Sequence, residues 1–131
     1  MGTTNIKPNV MKDIPVAKNA PVAEPAVYPV ASVLQVLGAI DDPVRLEVVR
    51  RLYNAGTPVQ CGALYDGINK STATHHFRIL REAGVTERLV VNGLTYQSLR
   101  REAVDTAMPG LLDSVVRSAN IEANTEPEAA N

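Results

Sequence analysis

Two adjacent histidines, His75 and His76, lie in the run NKSTATHHFRILREAGV at residues 69–85. Imidazoles can bind a metal, move protons or read a surface. A helix chelates a metal through ligands about one turn apart, at i and i+4. Adjacent helical residues diverge by ~100°, so this pair cannot close on one ion. Cys61, the single cysteine, and Asp66 lie across a turn and supply no third ligand. No metal or other cofactor is expected. Catalysis also lacks its parts. A nucleophile needs a base oriented by a third group, and the chain has only these two histidines and no Gly-rich phosphate loop. We expect no enzyme.

Surface reading remains. On a helical wheel Ala73, His76, Phe77, Ile79, Leu80 and Ala83 share the apolar side, which makes His76 a packed, hydrogen-bonded residue. Ser71, Thr74, His75 and Arg78 fall on the polar side. Hydroxyls, an imidazole and a guanidinium suit phosphates and base edges. The charge distribution agrees. The net charge of −1 divides into +1 over residues 1–40, +2 over 41–102 and −4 over 103–131. Residues 70–101 hold Lys70, Arg78, Arg81, Arg88, Arg100 and Arg101 against only Glu82 and Glu87. The positive charge is local to the histidine helix and the segment after it.

The elements that must position these residues are marked along the chain. Residues 1–27, with Pro8, Pro15, Pro21 and Pro25, show no hydrophobic period and read as a flexible arm. A first helix is expected over 30–39, with Val30, Val33, Leu34, Leu37 and Ile40 on one side. In DDPVRLEVVRRLYNAG, Asp42 is a good N-cap, Pro43 fits the first turn and Gly56 follows the end. Arg45 falls inside the apolar arc of that helix, which calls for a buried partner. TPVQ reads as extended and CGALYDGI as a short helix ended by Gly67. The next helix is read as capped by Ser71 and stopped at Gly84. VTERLVVNGLTYQSL has β-branched runs around Asn92-Gly93, the strongest short hairpin signal. Residues 101–119 are helical sequence interrupted at Pro109, and residues 120–131 form an acidic frayed tail. The domain, residues 28–119, is therefore mainly α with a small β-hairpin wing: a winged helix-turn-helix. One cysteine and no long apolar run fit a cytoplasmic protein, with no membrane contact.

LGAIDDPVRLEVVRRL resembles the opening helix pair of ArsR-type (ArsR/SmtB) bacterial transcriptional regulators, and KSTATHHFRILREAGV resembles their recognition helix. The resemblance spans residues 34–116. It implies a homodimeric repressor of its own operon that leaves DNA when an inducer binds. By position it assigns Lys70, Ser71, Thr72, Thr74, His75 and Arg78 to the major groove or its phosphates, with Arg81 and Arg88 adding to the cationic surface. It makes the first and last helices the dimer interface: Val30, Val33, Leu34 and Leu37 with Val104, Met108, Leu111, Leu112 and Val115. A two-fold dimer calls for a near-palindromic double-stranded operator.

The chain departs from the family in three places. The Cys-x-Cys run of the metal sensors is reduced to Cys61 in PVQCGALYD, the last helix has Asp105 and Asp113 but no His, and the wing tip VVNGL carries no basic residue. Metal sensing is therefore not expected. The effector reads as a small organic molecule between the end helices. A second candidate switch is Cys61, whose pKa a helix N-terminus could lower. The competing reading of the whole chain is a winged-helix protein-interaction module without specific DNA binding, and failure to bind its own upstream DNA would favour it.

Overall fold

A computed structural model describes residues 27–125. The arm expected over 1–27 and the end of the expected tail, 126–131, lie outside the described residues but for Val27. Among the described residues five α-helices and three strands follow in the order α1 (Val33–Ile40), α2 (Pro43–Ala55), β1 (Val59–Gln60), α3 (Lys70–Glu82), β2 (Thr86–Val91), β3 (Leu94–Leu99), α4 (Arg101–Ala107) and α5 (Leu111–Thr125). The sheet is antiparallel with β3 central, in the order β1-β3-β2. This is a winged helix-turn-helix, as expected.

Local chemistry accounts for most boundaries. The Asp42 carboxylate accepts from the amides of Val44 and Arg45, so it caps α2 as its sequence position foretold. Asn92 and Gly93 both have positive φ, the requirement of a two-residue turn matched to strand twist, and Val91 faces Leu94 across it. Val48, Val49 and Leu52 of α2 meet Val36 and Ile40 of α1, Leu80 of α3 and Val104, Leu112 and Val116 of the last two helices in one core.

Four expectations need correcting. Helix α1 begins at Val33, because Ser32 caps it through the Gln35 amide, and Val30 belongs to an extended lead-in instead. The helix expected over CGALYDGI is only a 3-10 turn, Cys61–Ala63, with no side-chain cap and with Gly67 in the left-handed region. Ser71 is not the cap of α3. Asn69 holds that position and accepts from the Thr72 amide, while the Ser71 hydroxyl donates to Asn69 Oδ1. Helix α5 runs to Thr125, so residues 120–125 are helical and not frayed. Ala119 is buried there, and Asn120 exchanges side-chain hydrogen bonds with Asn54 while accepting from Arg50.

The lead-in explains a glycine. The Ala31 amide donates to Ala83 O at the end of α3, and Arg100 Nη1 donates to both Gly84 O and Tyr28 O. A Cβ on Gly84 would lie 2.4 Å from Pro29 O and 2.5 Å from Val30 Cα, and its φ is +80°. The chain's entry segment and the end of α3 meet backbone to backbone there.

Candidate nucleic-acid interface

Helix α3 is held by its apolar side. Ala73, Phe77 and Leu80 are buried, and the Phe77 ring meets Tyr65 edge-on at 6.1 Å. His76 is mostly covered and accepts at Nδ1 from Arg45 Nη1 at 2.9 Å. A guanidinium has only donors, so the imidazole nitrogen is the acceptor in this bond. Arg45 also donates through Nε to Ala39 O at 2.6 Å, and the Asp42 carboxylate lies 3.7 Å from His76 Nδ1. This is the partner set that the apolar-arc position of Arg45 called for. It joins the end of α1, the start of α2 and the middle of α3. Burial pushes the Asp42 carboxyl up, but the Arg45 amide and guanidinium, His76 and the Val44 amide outweigh it and hold its pKa below the ordinary range.

The residues expected on DNA divide between two stripes. Ser71, Thr72, His75 and Arg78 are exposed on the outward side of α3. The exposed His75 ring lies beside that of His76, with the two centroids 5.8 Å apart and the rings inclined by 57°. Lys70, Thr74 and Arg81 follow a second stripe and, with Arg88 of β2, border a groove of about 490 Å³ between α3 and the wing. The Thr74 hydroxyl donates to Lys70 O, which leaves its oxygen lone pairs outward. Gln60, Tyr65 and Gln97 also line the groove, and the sequence reading passed over all three. The signal for Gln97 was the strand alternation Thr95, Gln97, Leu99, which puts its side chain on one face with Arg88, its register partner.

Cys61 sits half-buried in the same groove. Burial pushes its thiol up, and Gln97, Arg88 and Arg81 pull it down by less. The expectation of a lowered thiol pKa is therefore reversed: a 3-10 turn of three residues supplies no helix terminus of consequence. Among the described residues no three His, Cys, Asp or Glu side chains gather at a possible metal site. No helix among them is long and apolar enough to cross a membrane.

The expected dimer residues also divide. Val33, Leu34 and Leu37 are exposed, at 55%, 80% and 42%, while Val30, Leu111 and Val115 are half-buried. Val104, Met108 and Leu112 are packed into the chain's own core, so they have no surface to offer a partner. That part of the expectation is corrected. The periodic stripe after residue 101 is satisfied within the subunit.

Residues 40–88 match a helix-turn-helix domain model. The chain is 37% identical over 83 residues to an uncharacterised HTH-type transcriptional regulator, YceK, of Bacillus subtilis (strain 168), covering 62% of this chain and 83% of that protein. It is 34% identical over 98 residues to the HTH-type transcriptional regulator NmtR of Mycobacterium tuberculosis (strain ATCC 25618 / H37Rv), covering 75% of this chain and 76% of that one. Among solved structures, the transcriptional repressor BigR from Xylella fastidiosa aligns with a TM-score of 0.47 and 25% identity, over 58% of this chain and 85% of that chain. The chain belongs to the ArsR-type family of winged helix-turn-helix transcriptional regulators, which bind DNA and are not enzymes.

Proposed function

We propose that the protein is a cytoplasmic, homodimeric repressor that reads a near-palindromic operator and leaves it when a small-molecule effector binds. The observation that carries this reading is the division of α3. One side is fixed in the core by Ala73, Phe77, Leu80 and the Arg45–His76 bond, and the other presents Ser71, Thr72, His75 and Arg78 to solvent. A helix held this firmly can offer side chains to base edges at a fixed angle. Lys70, Arg81 and Arg88 sit to one side of that stripe, where they suit phosphates.

Footprinting on the DNA upstream of the protein's own coding sequence tests this. Protection of two related half-sites about one helical turn (~34 Å) apart is expected. Arg78→Ala, if the guanidinium grips a guanine, weakens binding by ~1–3 kcal/mol and relaxes preference at one base pair. His75→Ala weakens it too. Wild-type affinity in both variants would exclude this face as the reader.

A further inference from the structure

We propose that the groove between α3 and the wing binds a small organic anion bearing an O–H or N–H donor, and that this ligand displaces DNA by direct competition. The inference rests on the DNA-binding reading but places the effector in the groove, away from the end helices. Gln97, on the central strand, is 1% exposed and lines the groove. Its Nε2 donates to Cys61 Sγ at 3.8 Å, but its Oε1 has no partner. Buried acceptors are nearly always satisfied, so an unmatched one on a groove floor marks a place for a donor.

The rest of the lining defines the remainder of the ligand. Lys70, Arg81 and Arg88 line the groove and no Asp or Glu does, among the described residues. Arg88 stands directly across from Gln97 in the β2–β3 register, so the inner acceptor and a cation are neighbours on one sheet face. Phe77, Tyr65 and Leu94 add apolar surface between them. A volume of about 490 Å³ lies in the range of small-molecule sites. The matching chemistry is a compact, partly apolar acid with its donor inward on Gln97 and its carboxylate outward on Arg88 or Lys70. Such an acid neutralises charges that phosphates need, on the helix that reads the bases. Ligand and operator then exclude one another.

Calorimetry on the full chain with 4-hydroxybenzoate as the probe tests the site, with benzoate lacking the donor and 4-hydroxybenzyl alcohol lacking the anion. One site per chain is expected, with about tenfold weaker binding for each control and for Arg88→Ala and Gln97→Leu. Arg88 is exposed, so its variant keeps the test readable if Gln97→Leu fails to fold. The operator's apparent Kd should rise in proportion to probe concentration, without a plateau. Three probes binding alike, no binding at millimolar concentration, or a plateau would each overturn the proposal. Operator binding by the ligand-free protein would stand unchanged in all three cases, so the two readings fail separately.

Discussion

At the scale of residues, Asp42 has its effect twice, as helix cap and as counter-charge to Arg45. Asp42→Ala should cost ~0.5–2 kcal/mol near neutral pH, as cap losses do. The sign of its pH dependence follows from its depressed pKa. The folded state holds the carboxylate ionised, so the stabilisation is complete above the unfolded value of about 3.9 and fades as pH falls through the lower folded value. Urea unfolding should therefore show the gap between wild type and Asp42→Ala closing in acid. A gap that stays constant to pH ~2 would assign the effect to packing. Cys61 yields the opposite kind of expectation. With its thiol pushed up by burial, Cys61→Ser and wild type should respond alike to peroxide in an operator-binding assay. A peroxide response confined to the wild type would reinstate the thiol as a switch. His76 was legible as packed from the wheel alone. Its bond to Arg45 was not, because nothing in sequence spacing pairs residues so far apart on two different helices.

At the scale of elements, the caps and turns that depend on one residue's own chemistry were the most legible: Asp42 with Pro43, Gly56, Asn92-Gly93 and the Pro109 interruption. The errors came where two residues competed for one role. Asn69 and Ser71 can both cap α3, and the extended backbone at Asn69 decides between them. Apolar periodicity likewise could not say whether a stripe faces its own core or a partner, which is why Val104, Met108 and Leu112 were misassigned. Gly84 was legible as a helix stop but not as a contact. Gly84→Ala meets both a left-handed φ and the backbone of Pro29 and Val30, and should destabilise by ~2–5 kcal/mol. Gly56→Ala is the control: it has the same φ requirement and open space around it, so it should lose only ~1–2 kcal/mol. Equal losses in thermal unfolding would show that the lead-in does not grip the end of α3.

At the scale of the whole molecule, the exposed apolar residues of α1 bear on assembly. Val33, Leu34 and Leu37 on an eight-residue helix leave an apolar face that water does not favour, and a two-fold partner would cover it. Sedimentation at micromolar concentration should report a dimer, and Leu34→Glu should shift it toward monomer without lowering helix content. A monomeric wild type would sink the dimer and, with it, the paired half-sites. The fold class was legible because helix signals and a hairpin signal came in a fixed order. The groove was not, because it exists only where α3, the 3-10 turn and β3 converge, and the residues that line it are far apart in the chain.

The division of α3 into an anchored side and an outward side has a consequence for how such a regulator could be re-addressed. Ser71, Thr72, His75 and Arg78 are all exposed, so exchanging them costs the fold little. Ala73, Phe77 and Leu80 are buried and His76 is bonded to Arg45, so these four hold the helix and, on the proposed reading, leave the choice of bases to the outward side. On the proposed reading, address and hardware are thus interleaved along a single stretch of thirteen residues. A set of outward residues taken from another member of the family should bring that member's target sequence with it, and the melting temperature should barely move.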